Sequence, residues 1–217
     1  IAEQFKWIFI YPEQSIATVN ELRFPEKTPV NLRLTSNFTM NSFFIPALSG
    51  QIYAMAGMQT HLHLLSDETS PAEGYRGFSS NYSGYGFSQM RFRAHAVTDA
   101  QFAEWVASVK AGKGTSVNPE AVQKTVLDKA EFATLRDGNR SAHQIKVMNE
   151  TARTDLEKKL AATAKAEGPY PTKPHPVTYY AFVEQGLFES VIDTYMSNYH
   201  GADHSASEAH ATASQGE

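Results

Sequence analysis

The chain has 217 residues, of which 41% are hydrophobic, with a formal net charge of -4 and no cysteine. This length and composition allow one well-buried domain with an extension, and the lack of cysteine excludes disulfides, zinc–thiolate sites and cysteine nucleophiles. The mildly acidic balance gives no basic surface, so nucleic-acid binding is not expected. The apolar runs stop after about five residues, well short of the roughly 20 that a membrane-spanning helix needs.

The first hundred residues have the pattern of short strands separated by turn residues. Lys6 to Tyr11 is aromatic and β-branched, and it is followed by Pro12, which cannot donate to a sheet. Val30 to Leu34 alternates apolar and polar residues, which is typical of a strand with one face in a core. Further strands are predicted at Ala17 to Phe24, Asn41 to Ile45, Gln51 to Ala54, Thr60 to Leu65, Tyr75 to Ser79 and Met90 to Val97. The pattern predicts a mainly β fold, a β-sandwich or Greek-key barrel.

No catalytic or metal site is predicted in this β region. Glu13, Glu21 and Glu73 are scattered among turns and strand edges, with no spacing that pairs them for acid–base work. His61 and His63 share one face of a predicted strand, but a metal site there would need a third ligand. We therefore expect these two histidines to face solvent.

From Thr98 the periodicity becomes helical. Thr98 and Gln101 have the spacing of a capping box, and apolar residues from Phe102 to Val109 line one helical face. The pattern predicts a helix that ends near Lys110 and packs on the sandwich.

Residues 118–167 are polar and charge-rich, and they predict two amphipathic helices. The first begins after an Asn118 cap with Pro119 at its first position, and the second begins at Ser141. The apolar residues at near-helical spacing in the second are Ile145, Met148, Ala152, Leu156 and Leu160.

The sequence from residue 168 onwards predicts an extended connector, a strand, a short helix and a disordered tail. Residues 168–176 hold four prolines, which indicates an extended connector. Val177 to Val183 predicts an edge strand, and Leu187 to Tyr195 predicts a short helix. Residues 200–217 lack large apolar side chains, so they are predicted to be disordered, and the histidines in them are not assigned to a metal site.

The stretch from Ser79 to Met90 has a spacing that points to a known site. Ser79 and Ser83 are four residues apart, Phe87 follows after four more, and Met90 after a further three. This spacing resembles the binuclear copper loop of cytochrome c oxidase subunit II, which is Cys-x3-Cys-x3-His-x2-Met. Thiolates are soft and anionic, whereas serine hydroxyls are hard and neutral and bind copper poorly.

Other positions of that copper site are altered as well. Asn41 stands where the copper-bearing relatives have their first histidine ligand. Met90 keeps its ligand type, and Asn81 still offers a backbone carbonyl, but a lone thioether holds no copper pair. The resemblance therefore implies a vestigial copper site at Asn41, Ser79, Asn81, Ser83, Phe87 and Met90, with no metal bound.

Residues 5–110 as a whole resemble subunit II of bacterial haem-copper quinol oxidases of the cytochrome bo type. The segments that carry the resemblance are Phe5 to Gln14, Ile16 to Leu22, Met40 to Pro46, Gln51 to Met58 and the loop. It implies a cupredoxin-like β domain at 1–110 with its packing helix. A helical extension with the connector and terminal helix is expected at 111–199, and the disordered tail at 200–217.

The resemblance also implies a setting for the chain. Membrane-embedded subunit I and the other oxidase subunits are the expected partners, and haems and a copper ion are expected in the membrane subunit rather than here. The chain begins at Ile1 without a starter methionine, which suggests a fragment or a processed product. The resemblance implies a membrane anchor upstream of it, because subunit II of the family carries two transmembrane helices before this domain. The expected location is the periplasmic side of the bacterial inner membrane. The residues expected to contact a partner are Phe43, Phe44, Tyr82, Tyr85 and Phe87.

Three functions follow from these expectations. The first is a water-exposed assembly domain in a complex that oxidises ubiquinol, reduces oxygen to water and pumps protons. The alternative is a stand-alone secreted cupredoxin-like binding module. The third, the copper-binding electron-transfer domain of cytochrome c oxidase subunit II, conflicts with the missing thiolates and histidines.

Overall fold

The computed structural model describes residues 1–48, 50–84, 86–137 and 174–196. Its strands are β1 (Ala2–Glu3), β2 (Lys6–Tyr11), β3 (Ile16–Val19), β4 (Glu21–Pro25), β5 (Val30–Leu34), β6 (Asn41–Phe44), β7 (Ile52–Ala54), β8 (Thr60–Leu64), β9 (Tyr75–Ser79), β10 (Arg91–Val97), β11 (Val122–Leu127) and β12 (Thr178–Val183). Its helices are α1 (Asp99–Lys110), α2 (Lys129–Asp137) and α3 (187–196).

The strands form two sheets and a ribbon. Sheet 1 has the order β1-β2-β3-β12-β11, sheet 2 has the order β4-β10-β9-β6-β7, and β5 pairs with β8 in the ribbon. The pairs β4–β10 and β11–β12 are parallel, and the other pairs are antiparallel. The predicted mainly β fold class with helical additions is confirmed.

An aromatic cluster fills the space between the two sheets. Trp7 meets Phe43 edge-on at 5.1 Å between ring centroids, and Phe43 stacks on Phe92 at 5.0 Å. Phe9 completes the cluster, 5.1 Å from Phe92. Burying such large rings dominates core energetics, and their edge-on pairs add about 0.5–1.5 kcal/mol each.

The predicted strand from Ala17 to Phe24 is two strands rather than one. The chain breaks at Asn20, whose φ of 59° lies in the left-handed region that asparagine tolerates better than most residues. The Asn20 side chain also accepts a hydrogen bond from the backbone N–H of Trp7 at 2.9 Å. This break lets β3 join sheet 1 while β4 joins sheet 2.

The helix predicted from Thr98 is confirmed as α1. Gln101 N donates to the Thr98 hydroxyl at 3.3 Å, and Thr98 N donates back to the Gln101 side chain at 3.1 Å, so the capping box is complete. Trp105 is buried and lies edge-on to Tyr179 of β12. The apolar stripe of α1 therefore packs on sheet 1, as predicted.

The helix predicted from Pro119 is wrong. Residues Val122–Leu127 form β11, which pairs in parallel with β12 from Val122–Thr178 to Leu127–Val183. The predicted edge strand near Val177 is a strand, but it lies inside sheet 1 between β3 and β11. The helix predicted from Ser141, most of the proline connector and the tail at 200–217 lie outside the described residues.

A buried polar cluster ties these late strands to β4. The Glu21 carboxylate accepts hydrogen bonds from the Tyr179 hydroxyl at 2.5 Å, Arg23 Nε at 2.7 Å and Asn118 Nδ2 at 3.1 Å. Burial and the neighbouring Glu21 charge raise the pKa of Tyr179 above its usual range. The cluster stabilises the contact between β4, β12 and the turn before β11 because each buried polar group finds a partner.

Candidate functional site

The candidate site is the loop from Ser79 to Met90, which connects β9 to β10. Ser79 N donates to Met90 O at 3.1 Å and closes the base of the loop. Ser80 N donates to Ser42 O at 3.0 Å, which fixes the loop to β6. A short 3-10 turn at Phe87–Gln89 returns the chain towards β10. The loop is thus held by three neighbouring strands of sheet 2.

Two of the positions identified from the copper spacing are in direct contact. The Ser79 hydroxyl donates to Asn41 Oδ1 at 2.9 Å, and both residues are buried. The Asn41 amide nitrogen donates in turn to Thr39 O at 2.9 Å. A neutral serine–asparagine hydrogen bond therefore joins two of the positions that the sequence predicts as a vestigial copper site.

Two of the remaining positions of the set are buried, and the other two are partly exposed. Met90 and Ser83 are buried, and the Ser83 hydroxyl has no hydrogen-bond partner within the described parts of the chain. The Phe87 ring lies 5.8 Å from the Tyr82 ring, across the tip of the loop. A Cβ added at Gly86 would lie 2.1 Å from Phe5 Cδ2, so the Phe5 ring presses directly on the loop backbone.

The donor set at this loop does not fit copper. It consists of neutral hydroxyls, an amide and one thioether, whereas a binuclear copper centre needs thiolates and imidazoles. Elsewhere in the described ranges, no group of three or more His, Cys, Asp or Glu side chains is placed to hold a metal ion. His61 and His63 lie on the exposed face of β8, where they were expected.

The predicted partner-contact residues differ in how far they are exposed to solvent. Phe43 is 1% exposed and packs between Trp7 and Phe92, so its assignment to a contact surface is wrong. Phe44 and Phe87 are half-buried, and Tyr82 is 68% exposed at the loop tip. Tyr85 lies outside the described residues.

Sequence reasoning missed apolar residues on the turns beside the loop. Asn81 Nδ2 donates to Met40 O at 3.2 Å, which brings the exposed Met40 next to Tyr82. Phe38 and Met58 lie on the turns 37–40 and 55–58, which are joined at the bridge between Ser36 and Ala56, and both are exposed, Met58 by 54%. We call Phe38, Met40, Met58, Tyr82 and Phe87 the loop-end surface. Its signal in the sequence is a set of large apolar residues in turns, away from any strand alternation.

The fold and the loop together define a mainly β domain with neutral side chains at the positions that the sequence predicts as a vestigial copper site. Sequence comparison then confirms the resemblance: the chain is a relative of subunit 2 of the ubiquinol oxidases. It is 52% identical over 135 residues to the cytochrome bo(3) ubiquinol oxidase subunit 2 of Pseudomonas putida, covering 62% of this chain and 38% of that one. It is 40% identical over 195 residues to the ubiquinol oxidase subunit 2 of Acetobacter aceti, covering 90% of this chain and 48% of that one.

A third relative is also a ubiquinol oxidase subunit 2 that the chain matches over part of its length. The chain is 58% identical over 111 residues to the cytochrome bo(3) ubiquinol oxidase subunit 2 of Pseudomonas aeruginosa, covering 51% of this chain and 33% of that one. The chain thus spans less than half the length of these curated relatives.

Two further comparisons concern the end of the chain and the fold. Residues 170–198, which include β12 and α3, match the family model described as the COX Aromatic Rich Motif. Among solved structures, the periplasmic domain of subunit II of cytochrome oxidase from Bradyrhizobium japonicum matches with a TM-score of 0.48 and 21% identity, covering 51% of this chain and 89% of that one. None of the described helices is long and apolar enough to cross a lipid bilayer.

Proposed function

We propose that this chain is the periplasmic, water-exposed domain of subunit II of a ubiquinol oxidase complex, and that it acts in assembly without binding copper. The observation that supports this most directly is the 40% identity to a ubiquinol oxidase subunit 2 across 90% of the chain. In this proposal, ubiquinol oxidation, oxygen reduction and proton pumping belong to the membrane-embedded partner, which carries the haems and a copper ion. A membrane anchor upstream of Ile1 belongs to the same proposal.

The loop supports the absence of copper on chemical grounds. At the positions of the two bridging thiolates, Ser79 donates to Asn41 and Ser83 presents a neutral hydroxyl. Such groups compete weakly with water for copper because they are hard and uncharged. The domain is therefore proposed to transmit no electrons of its own.

The loop-end surface supports the assembly role. Large apolar side chains that are exposed on neighbouring turns are typical of a protein–protein contact, and methionine and aromatic residues are enriched in such contacts. Tyr82 and Met58 are each more than half exposed, although large apolar side chains are normally covered. We therefore place the contact with the membrane subunit at this surface.

Assembly is tested with Met40→Ser combined with Met58→Ser in the tagged full-length subunit, since both side chains of the loop-end surface are exposed, by 42% and 54%. We expect weaker co-purification of the membrane subunit and a thermal midpoint shifted by no more than a few degrees, since surface changes usually cost less than about 0.5 kcal/mol. Phe182→Ser is the matched control, because Phe182 is similarly exposed but lies on β12 in the other sheet. A folding defect with normal assembly, or equal loss in the Phe182 variant, would contradict the proposal.

A further inference from the structure

Three arginines project from the outer face of sheet 2, away from the core between the sheets. Arg91 and Arg93 of β10 are exposed, whereas Phe92 between them is buried. On β9, Arg76 is exposed, and a Cβ added at the next residue, Gly77, would lie 2.2 Å from the Phe92 ring. Because successive strand residues face opposite sides of a sheet, the three arginines share the outer side. We call this side of β9 and β10 the arginine face.

The charges of the arginine face lie close together. Arg93 and Arg76 are directly opposite each other in the antiparallel pair of β10 and β9. Side chains in such a pair are neighbours, and like charges there are destabilising. Arg91 is two residues from Arg93 on the same side of the strand, a distance of about 7 Å. The isolated domain therefore carries a local repulsion that a bound anion would relieve.

No carboxylate of the described residues neutralises these charges. None of the three arginines forms an ion pair with any of those residues. Arg91 Nε donates to Ser88 O at 2.9 Å, but this acceptor is neutral. Glu21 is the only acidic residue in the five strands of sheet 2, and it lies beside Arg93 in the parallel pair of β4 and β10. Its buried carboxylate already pairs with Arg23 at 2.7 Å.

Two aromatic side chains continue the arginine face across the sheet. Phe78 of β9 is opposite Arg91, and Phe44 of β6 is opposite Phe78. The two rings meet edge-on at 5.5 Å between centroids, and both are half-buried. Aromatic and arginine side chains are the residues enriched in protein–protein contacts. The face thus offers positive charge and apolar surface side by side.

We propose that the arginine face binds an acidic segment of a partner protein. Its carboxylates pair with the arginines, and an apolar side chain of the segment packs against Phe78. Arginine suits this role because its planar group can form two parallel hydrogen bonds to one carboxylate. The net charge of -4 opposes approach to an anionic bilayer, whereas a short segment senses mainly the charges within a Debye length of about 8 Å. The proposal goes beyond the assembly role, because this face and the loop-end surface share no residue.

Two other segments of this chain differ in whether their charge would complement the face. Residues 138–173 contain seven lysines and arginines against four acidic residues, so their charge has the wrong sign. Residues 197–217 contain Asp203, Glu208 and Glu217 and no lysine or arginine. The experiment must therefore distinguish a partner's acidic segment from the end of this chain.

The test uses the 217-residue chain labelled with 15N and an unlabelled synthetic peptide, Glu-Asp-Phe-Glu-Asp-Phe-Glu, titrated at low salt by two-dimensional NMR. We expect saturable shifts of the amide signals that are largest in β9 and β10. Arg76→Gln combined with Arg93→Gln should weaken binding about tenfold, because two charged contacts are lost. Replacing both by lysine keeps the charge without the planar group, so it should weaken binding only about threefold.

The matched control removes the same charge elsewhere. Lys110→Gln combined with Lys113→Gln changes two exposed residues at the end of α1, which packs on sheet 1, and should leave the affinity within about twofold. A peptide with glutamine and asparagine in place of its acidic residues should not bind. The thermal midpoint of the Arg76→Gln, Arg93→Gln variant should not fall, because the substitutions remove a repulsive pair. This result separates loss of the contact from loss of structure.

Several outcomes would overturn the proposal. One is the absence of amide shifts at millimolar peptide, and another is equal binding of the uncharged peptide. Equal weakening by the Lys110→Gln, Lys113→Gln variant would show a general charge effect only. Arginine-dependent binding to phosphatidylglycerol vesicles without peptide binding would assign the face to lipid. A tenfold gain in peptide affinity from Asp203→Asn combined with Glu208→Gln would assign it, as about 1.4 kcal/mol of competition, to the end of this chain.

Discussion

Restoring the copper ligands is the sharpest test of the vestigial loop. If the loop follows the path of the copper-bearing relatives, four substitutions place two imidazoles and two thiolates beside the Met90 thioether. They are Asn41→His, Ser79→Cys, Ser83→Cys and Phe87→His. The contact between Ser79 and Asn41 at 2.9 Å already brings two of these positions together, and Ser83 and Met90 are buried.

The structure gives the expected cost of the variant before metal is added. It loses the hydrogen bond from Ser79 to Asn41, worth about 1 kcal/mol, and the ring contact of Phe87 with Tyr82, worth about 0.5–1.5 kcal/mol. Replacing the half-buried Phe87 ring by the smaller histidine ring adds to this loss. The free energy of unfolding should therefore fall by about 2–4 kcal/mol in all. Free copper at a concentration one thousand times its dissociation constant would raise the free energy of unfolding again by about 4 kcal/mol.

The assay combines metal analysis after dialysis, visible absorption and urea unfolding with and without copper. We expect two coppers per chain, a strong thiolate–copper band that fades at low pH, and copper-dependent recovery of the unfolding midpoint. The parent chain should bind no stoichiometric copper, and a variant that retains Ser83 should lose the binuclear spectrum. A folded quadruple variant that stays colourless in excess copper would show that the loop does not keep the copper geometry.

Three further predictions concern stability. Gly86→Ala should cost about 1–3 kcal/mol in the free energy of unfolding, because the new Cβ meets the Phe5 ring at 2.1 Å, and Phe5→Leu should recover part of it. Glu21→Leu should cost about 3–5 kcal/mol, since it leaves the buried Tyr179 hydroxyl and the partly buried Arg23 guanidinium without their acceptor; an unchanged urea midpoint would contradict this. Burial lowers the pKa of His175 to about 4, and the positive charges of Lys6 and Lys124 add to this effect. As the pH falls from 6.5 towards 4, the histidine is therefore protonated in the unfolded chain before it is protonated in the folded one. The free energy of unfolding should therefore drop over that window by up to about 3 kcal/mol, and His175→Gln should flatten the drop measured by urea unfolding between pH 7 and pH 4.5.

Strands with their own alternation could be predicted from the sequence, but strands made by distant pairing could not. Val30 to Leu34 alternates clearly, and the structure has a strand with those bounds. The sequence around Val122 begins with a proline and a good helix cap, and only pairing with β12, far along the chain, makes it a strand. The break at Asn20 depends on one left-handed residue inside an otherwise continuous β pattern.

For the candidate site, too, some residues could be predicted from the sequence and others could not. The spacing from Ser79 to Met90 located residues that the fold does bring together, because both ends of the loop are fixed by adjacent strands. The neighbours Phe43 and Phe44 were assigned to one surface, although adjacent strand residues face opposite sides of a sheet, and Phe43 is the buried one. Met40 and Met58 were missed because they lie in turns, outside any strand alternation that would assign them to a face.

The position of β12 determines when the protein can finish folding. Tyr179 of β12 lies against Glu21 although they are 158 residues apart, and β12 separates β3 from β11. Contacts of such long range form slowly, and during synthesis they must wait until residues 178–183 have left the ribosome. Until then the fully buried strand Ile16–Val19 has an open edge, which is a template for pairing with other chains. A chain shortened before residue 178 keeps that edge permanently, so loss of the C-terminal segment should lead to aggregation rather than to a smaller folded protein.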